Sequence, residues 1–366
     1  DSTGTLQTAA SGVPRFDYDP VTHTAKGLLI EETRTNILPK SNNFVAPWGS
    51  APGYPTDIST ANAAISPDGT MDATTIGYLS PYSTGGRYYS GLAVTSGATY
   101  TASIYFKVIS GTNVTLRVGT DTSSTQYSRI NTSTLAITDF GTAKGAVQNL
   151  SNGWYRFYVT FTAPAASIAY IAYLASITSA NVVAIYGAQL EAGAFPTSYI
   201  PTTSAAVARN GDALNLPTGS WHTSGAGTLY GQGIYDMTGS TVSRGMVYLD
   251  DGSPNNAAGM YLGDNLSPRR MGLQVMNGGA GQASAYSGTY TAGNLIKGAM
   301  AYQTDDVIAA FDGTLTTGDS SATISSYSRF IVGNLRGYWG SMTGHIQKAR
   351  YYPARVTNTQ LQLLTQ

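Results

Sequence analysis

Acid–base hydrolysis by carboxyl groups needs two of them facing one cleft, one as proton donor and one as base or nucleophile. This sequence is poorly supplied with them. Glutamate occurs only at Glu31, Glu32 and Glu191, so a Glu-x-Asp-x-x-Glu strand is missing from the C-terminal half. The adjacent pairs Asp250-Asp251 and Asp305-Asp306 would point to opposite faces of a strand. In turns they could chelate calcium, which takes about six to eight oxygen ligands, but plain turn chemistry is the favoured reading. Asp17 and Asp19 have the i, i+2 spacing of one strand face, yet Pro20 follows and favours a turn.

Nucleophilic chemistry fares no better. Histidine occurs only at His23, His222 and His345, and no Gly-x-Ser-x-Gly elbow accompanies them. His345-Ile346-Gln347 resembles the Gln-x-His of jelly-roll polysaccharide lyases in reversed order, without the companion tyrosine motif; His345 reads as a strand residue. Cysteine is absent, which excludes thiolate metal sites and cysteine nucleophiles. No Gly-x-x-x-x-Gly-Lys phosphate loop occurs. The expectation is a protein that is not an enzyme and carries no cofactor, with room left for a structural calcium.

Binding residues are better represented. Sugar sites on β-sandwiches use aromatic platforms flanked by amides, carboxylates and arginine. One neighbourhood is Trp48, Tyr54, Tyr82, Arg87 and Tyr88, in sequence rich in Pro, Gly and Ser. The competing reading has Trp48 plugging the end of a sandwich. The second is Asn334, Arg336, Tyr338 and Trp339, taken with Trp221 and His222; Arg, Tyr and Trp are enriched at binding hot spots. Trp339 could equally close a core. Trp154, beside the turn Ser151-Asn152-Gly153, reads as structural.

The elements that must position these residues are strands. Tyr100, Ala102, Ile104, Phe106 and Val108 share one face against Thr101, Ser103 and Lys107. Tyr155, Phe157, Val159 and Phe161 repeat the pattern, and Val182–Leu190 is apolar on both faces. Further strands are expected at Thr228–Met237, Arg244–Leu249, Met271–Met276, Val307–Phe311, Arg329–Val332 and His345–Tyr352. Asp312-Gly313 marks a hairpin turn. One helix is expected at about Asn358–Leu364, opened by a Thr357/Gln360 capping box and a Val356/Leu361 staple, and docking through Leu361 and Leu364. Short strands between Gly-, Asn- and Ser-rich turns give an all-β class: two antiparallel β-sandwiches with a short C-terminal helix.

The bulk numbers agree. The 366 residues suit about two domains. Charged residues are only 11% and the net charge is zero, so neither nucleic acid nor an anionic membrane is the expected partner. Phe157–Leu190 lacks formal charge but is broken by Pro164 and by Ser179-Ala180-Asn181; membrane insertion is not expected. The chain starts at Asp1, which reads as an excised piece of a longer protein.

Several phrases resemble a recurrent module of tailed-phage and prophage tail proteins: VPRFDYDP, GLLIEETRTNIL, SNNF, SPDGTMDATTI and IYGAQLEAGAFPTSYIPTT. Within that frame SGATYTASIYFK and NGWYRFYVTFTAP resemble the middle of a carbohydrate-binding jelly roll. FDGTL, GNLRGYWGSMTGHI and YYPARVTNTQLQLLT resemble a laminin-G or concanavalin-like one. The resemblance implies an extended linker at 1–25, a carbohydrate-binding-like jelly roll at 26–205 and a laminin-G-like one at 206–366. It implies a virion-tail location, homotrimers, other tail proteins as neighbours, and attachment to host cell-surface polysaccharide or lipopolysaccharide. The alternatives are a structural or trimerising decoration domain and a polysaccharide depolymerase.

GLLIEETRTNIL concentrates charge in a chain that has little. With no companion carboxylates, Glu31 and Glu32 read as placement rather than chemistry. As one strand, the stretch would put Glu32 and Arg34 on a shared face as a structural ion pair.

Overall fold

A computed structural model of the chain describes residues 1–45, 48–50, 58–77, 84–112, 114–120, 126–175, 181–236, 242–263, 266–334 and 340–366. The chain forms two units, one of residues 1–8, 19–24 and 34–209, the other of 9–18, 25–33 and 210–366. Regular structure is almost entirely antiparallel strand. The all-β expectation holds, and so does the C-terminal helix.

In the first unit, one six-stranded sheet runs Ile137–Phe140, Tyr127–Asn131, Thr115–Thr120, Ser167–Ala175, Thr84–Ala93, Gly49–Ser50. A second runs Lys144–Asn149, Tyr155–Thr162, Thr99–Ser110, Val182–Ala192, Ala73–Gly77, Ile58–Ala64. The alternating residues Ile104, Phe106, Phe157, Val159 and Phe161 enter one core with Leu116, Val118 and Ile130. Period-2 patterning thus decides which side of each strand meets the other sheet.

The second unit has a seven-stranded sheet: Phe16–Tyr18, Ala25–Ile30, Gly344–Tyr352, Ala226–Tyr235, Leu295–Gln303, Asp306–Phe311, Thr314–Leu315. Its companion sheet runs Leu214–Pro217, Arg329–Val332, Arg244–Asp250, Ala257–Gly263, Arg270–Asn277, Ala280–Thr289. Leu229, Val247, Met260, Leu273, Met300 and Phe311 lie in the core between them. Asp312 and Gly313 both take positive φ, 45° and 80°, as a tight hairpin of this kind requires. Helix Asn358–Thr365 carries the full capping box and docks Leu361 beside Tyr230, Ala299 and Ile308.

The N-terminal boundaries differ from the sequence-derived ones. Phe16–Tyr18 and Ala25–Ile30 form a hairpin whose inner strand pairs Leu28 with Ile346 and Ile30 with Gly344. Residues 26–33 therefore count with the second unit rather than opening the first, because Ile30 is buried in the second core. The stretch 31–33 is not strand, and the next strand is Arg34–Asn36. The reading of Glu32 and Arg34 as face-sharing strand neighbours is corrected accordingly. Glu32 receives Arg244 Nη2 at 2.9 Å, and the Arg34 guanidinium lies 4.6 Å from the Phe195 ring centroid.

Candidate functional site

The three glutamates are absorbed by architecture. Glu31 is 4% exposed and accepts Arg15 Nη1 at 2.7 Å. Arg15 Nη2 reaches Asp212, which also accepts the Glu31 amide at 2.8 Å. Glu191 is fully buried and accepts the Thr197 amide at 2.9 Å, the Thr197 hydroxyl at 2.7 Å and Gln189 Nε2 at 2.6 Å. It holds the loop after strand Val182–Ala192. Asn36, from the charged stretch, is also fully buried. Its Nδ2 donates to Ala188 O and Ile200 O, while its Oδ1 accepts the amides of Leu38 and Leu190. One side chain thereby satisfies four backbone groups that would otherwise be buried unpaired.

The aspartate pairs behave as turn residues. Asp250 ends its strand fully buried and takes a two-pronged contact from Arg329, at 2.7 and 2.9 Å. Asp251 accepts the Ser253 amide and hydroxyl and, at 2.7 Å, Asn256 Nδ2. Asp305 takes positive φ in a turn, and Asp306 receives Arg355 at 2.7 Å. Among the described residues no group of three or more His, Asp or Glu side chains is arranged to hold a metal ion.

The first aromatic neighbourhood separates. Trp48 is 3% exposed and packs against Phe44, Tyr89 and Tyr170, with its indole N–H donating to Lys40 O at 3.0 Å. It belongs to the core and not to a ligand platform. Arg87 is buried and Tyr88 half-buried on strand Thr84–Ala93. Tyr54 and Tyr82 lie outside the described residues.

The second neighbourhood also separates. Trp221 follows strand Leu214–Pro217 and is 42% exposed. Its ring centroid lies 5.3 Å from Tyr351, 6.0 Å from His222 and 6.1 Å from Phe330. Asn334 stands beyond the other end of strand Arg329–Val332, donating to Ser341 Oγ at 3.2 Å. Pro217 pairs with Arg329 whereas Leu214 pairs with Val332, so the two are not brought together. Arg336, Tyr338 and Trp339 lie outside the described residues.

Two ring contacts away from Trp221, through His222, lies a polar concavity that sequence reasoning missed. His222 contacts Tyr327 at 6.4 Å, and Tyr327 lines a hollow of about 510 Å³ with Asp251, Asn256, Asn277 and the serines Ser325, Ser326 and Ser328. The walls are cross-braced: the Ser325 hydroxyl lies 2.8 Å from Asn277 Oδ1 and 3.0 Å from Asn256 Oδ1, with one proton to donate between them. Tyr327 is 6% exposed, and its hydroxyl is buried without a well-formed hydrogen bond. Burial pushes its pKa up and lowers that of His222, so both rings are neutral at neutral pH. The hollow offers carboxylate, amide and hydroxyl groups, and the exposed indole lies beyond His222 from its Tyr327 wall. That combination matches hydroxyl-rich ligands chemically. The residues converge from three turns, at 251–256, 277 and 325–328, and only their turn-forming identities, such as Asn277-Gly278, gave a signal.

A scan against protein-family models and a search of curated proteins both find no match to this sequence. Among solved structures, the CBM40 domain of the Ruminococcus gnavus IT-sialidase bound to α2,6-sialyllactose is similar at 11% identity. The match covers 42% of this chain and 96% of that one, with a TM-score of 0.34. Domains LG4-5 of the mouse laminin α1 chain are similar at 12% identity, over 79% of this chain and 92% of that one, with a TM-score of 0.28. The Caenorhabditis elegans galectin LEC-6 is similar at 11% identity, over 38% and 89%, with a TM-score of 0.27. Similarities of this size carry no conclusion about ligand or mechanism for this chain.

Proposed function

We propose that this chain is the non-catalytic attachment part of a phage tail fibre or spike, and that it binds a polysaccharide or lipopolysaccharide on the host surface. What supports the glycan reading is the polar hollow of Asp251, Asn256, Asn277 and Ser325 together with the exposed Trp221, which is linked to its Tyr327 wall through His222. An indole covers the C–H face of a sugar while amides and carboxylates match its hydroxyls. The absence of catalysis rests on the engagement of Glu31, Glu32 and Glu191 in packing and ion pairs. The virion setting rests on the resemblance of the linker phrases, and trimerisation belongs to the same proposal.

The test is a titration of the full chain against a panel of bacterial capsule and lipopolysaccharide preparations, with product sizing after long incubation. Saturable binding that weakens in Trp221→Ala supports the reading. No binding by any correctly folded preparation would leave the decoration role, and progressive shortening of a polysaccharide would replace attachment with depolymerisation.

A further inference from the structure

His345 plays no part in the site above, yet its surroundings are unusual. Its strand neighbour Ile346 enters the second core, so alternation turns the imidazole to the opposite face of the sheet. There it is only 3% exposed. Nε2 lies 2.7 Å from Asp17 Oδ2, and Nδ1 lies 3.5 Å from Asp236 Oδ2, at the outer limit of a hydrogen bond. Lys26 Nζ stands 3.3 Å from the same Asp17 oxygen.

These groups arrive from the neighbouring strands of the same sheet. Asp17 comes from the outermost strand, Lys26 from the strand between, and Asp236 from the end of strand Ala226–Tyr235. Strand Ala226–Tyr235 itself carries no charge, and Lys348 and Arg350 lie further along His345's own strand. Asp17 pairs with Gly27 across the hairpin. A Cβ at Gly27, where φ is 115°, would sit 2.6 Å from Ile346 O. The missing side chain lets the hairpin lie close against the histidine's strand.

A neutral imidazole carries one N–H and can donate to one carboxylate, whereas the imidazolium donates to both. We propose that His345 is a pH-sensitive latch that, when protonated, clamps the 16–30 hairpin onto strand Gly344–Tyr352 and, when neutral, lets the hairpin's outer strand loosen. The backbone register joining the hairpin to that strand spans only Leu28, Leu29 and Ile30, so the side-chain clamp carries weight. Burial alone would depress the histidine's pKa, but the hydrogen bond with Asp17 and the nearby Asp236 carboxylate outweigh it and raise the value above 6.5. Burial likewise opposes ionisation of Asp17, yet His345 and Lys26 keep its pKa down at about 2.

The sign follows from linkage. The raised histidine pKa contributes stability that is complete below the unfolded value of 6.5 and is lost as pH climbs through the folded value. The depressed Asp17 pKa contributes stability above 3.8 and loses it as pH falls towards about 2. The latch is therefore closed in mildly acidic solution and opens on the alkaline side. At the other end of the hairpin, Arg15, Glu31 and Asp212 pair among themselves, which confines loosening to the outer strand and its turn.

Hydrogen exchange on the full chain at about pH 6 and about pH 9, corrected for intrinsic rates, tests this. The amides of residues 17–29 should lose protection at the higher pH by roughly ten-fold per unit of pKa elevation, while strand Ala226–Tyr235 keeps its protection. His345→Gln should remove the pH dependence. Equal protection at both pH values in the wild type, or a pH dependence that survives His345→Gln, overturns the proposal. Should His345→Gln not fold, Asp236→Asn decides, since that side chain is 45% exposed. The His345 ring should titrate above 6.5 by NMR in the wild type and lower in Asp236→Asn. A wild-type midpoint at or below 6.5, or one unmoved by the substitution, refutes the latch.

Discussion

Trp48 and Trp221 stand in similar local sequence, Pro47-Trp48-Gly49-Ser50 and Gly219-Ser220-Trp221-His222, and their fates are opposite. Trp48 is 3% exposed with three aromatic neighbours and a bonded indole N–H. Trp221 also has three ring neighbours, yet remains 42% exposed, and no described residue accepts from its indole. A turn-rich context announces that a tryptophan sits at a strand junction. Whether the ring fills a core or faces solvent is set by what lies across the sheet. For Trp48 that is Tyr89 and Tyr170, which are remote in sequence.

The sharpest way to break the comparison is to delete both rings. Trp48→Ala removes a buried indole and should destabilise the first unit by about 3–5 kcal/mol, read as a lower urea midpoint. If the loss is under about 1 kcal/mol, the core role assigned to Trp48 fails. Asn36→Ala should follow at about 3 kcal/mol, because it strands two amides and two carbonyls and each buried unpaired group costs about 1–3 kcal/mol before relaxation. The marker for Asn36 is specific: Leu190 and Leu38 amides should lose exchange protection together. Protection retained at both would show that the backbone pairs without the side chain.

These sites also show what the sequence made readable. The strands, the Asp312-Gly313 turn and the capped helix follow from periodicity and turn chemistry that act over a few residues. The charged stretch 27–38 was legible as placement, since companion carboxylates were missing. Its wiring was not. Glu32 meets Arg244, Glu31 meets Arg15, and Asn36 serves backbone groups more than 150 positions away. Local alternation suggested a Glu32–Arg34 pair only by assuming a continuous strand. The polar hollow was invisible for the same reason: Asn256, Asn277 and Ser325 look like ordinary turn residues until the sheets bring their turns together.

Trp221→Ala sharpens the contrast from the other side. Because Trp221 is 42% exposed where Trp48 is 3%, stability should change far less than in Trp48→Ala, by about 1 kcal/mol at most. Affinity for a polysaccharide identified in the binding panel should fall at least roughly ten-fold, about 1.4 kcal/mol. A midpoint shift comparable to that of Trp48→Ala, or unchanged affinity, would move Trp221 out of the ligand site.

Exposure by itself does not mark a binding residue, and Thr357 supplies the control. Its side chain is exposed, yet it accepts the Gln360 amide at 3.3 Å while Gln360 Oε1 accepts the Thr357 amide at 2.8 Å. The helix it opens buries Leu361 completely. Thr357→Ala should therefore cost about 1 kcal/mol in the second unit's denaturation midpoint. Polysaccharide affinity should stay within error, since the cap lies on the helix and contributes nothing to the hollow's lining. Paired with Trp221→Ala, it forms a double dissociation: one exposed residue acts on stability and the other on binding. If Thr357→Ala lowered affinity as much as Trp221→Ala, the affinity loss in both variants would report loosening of the second sandwich rather than a lost platform.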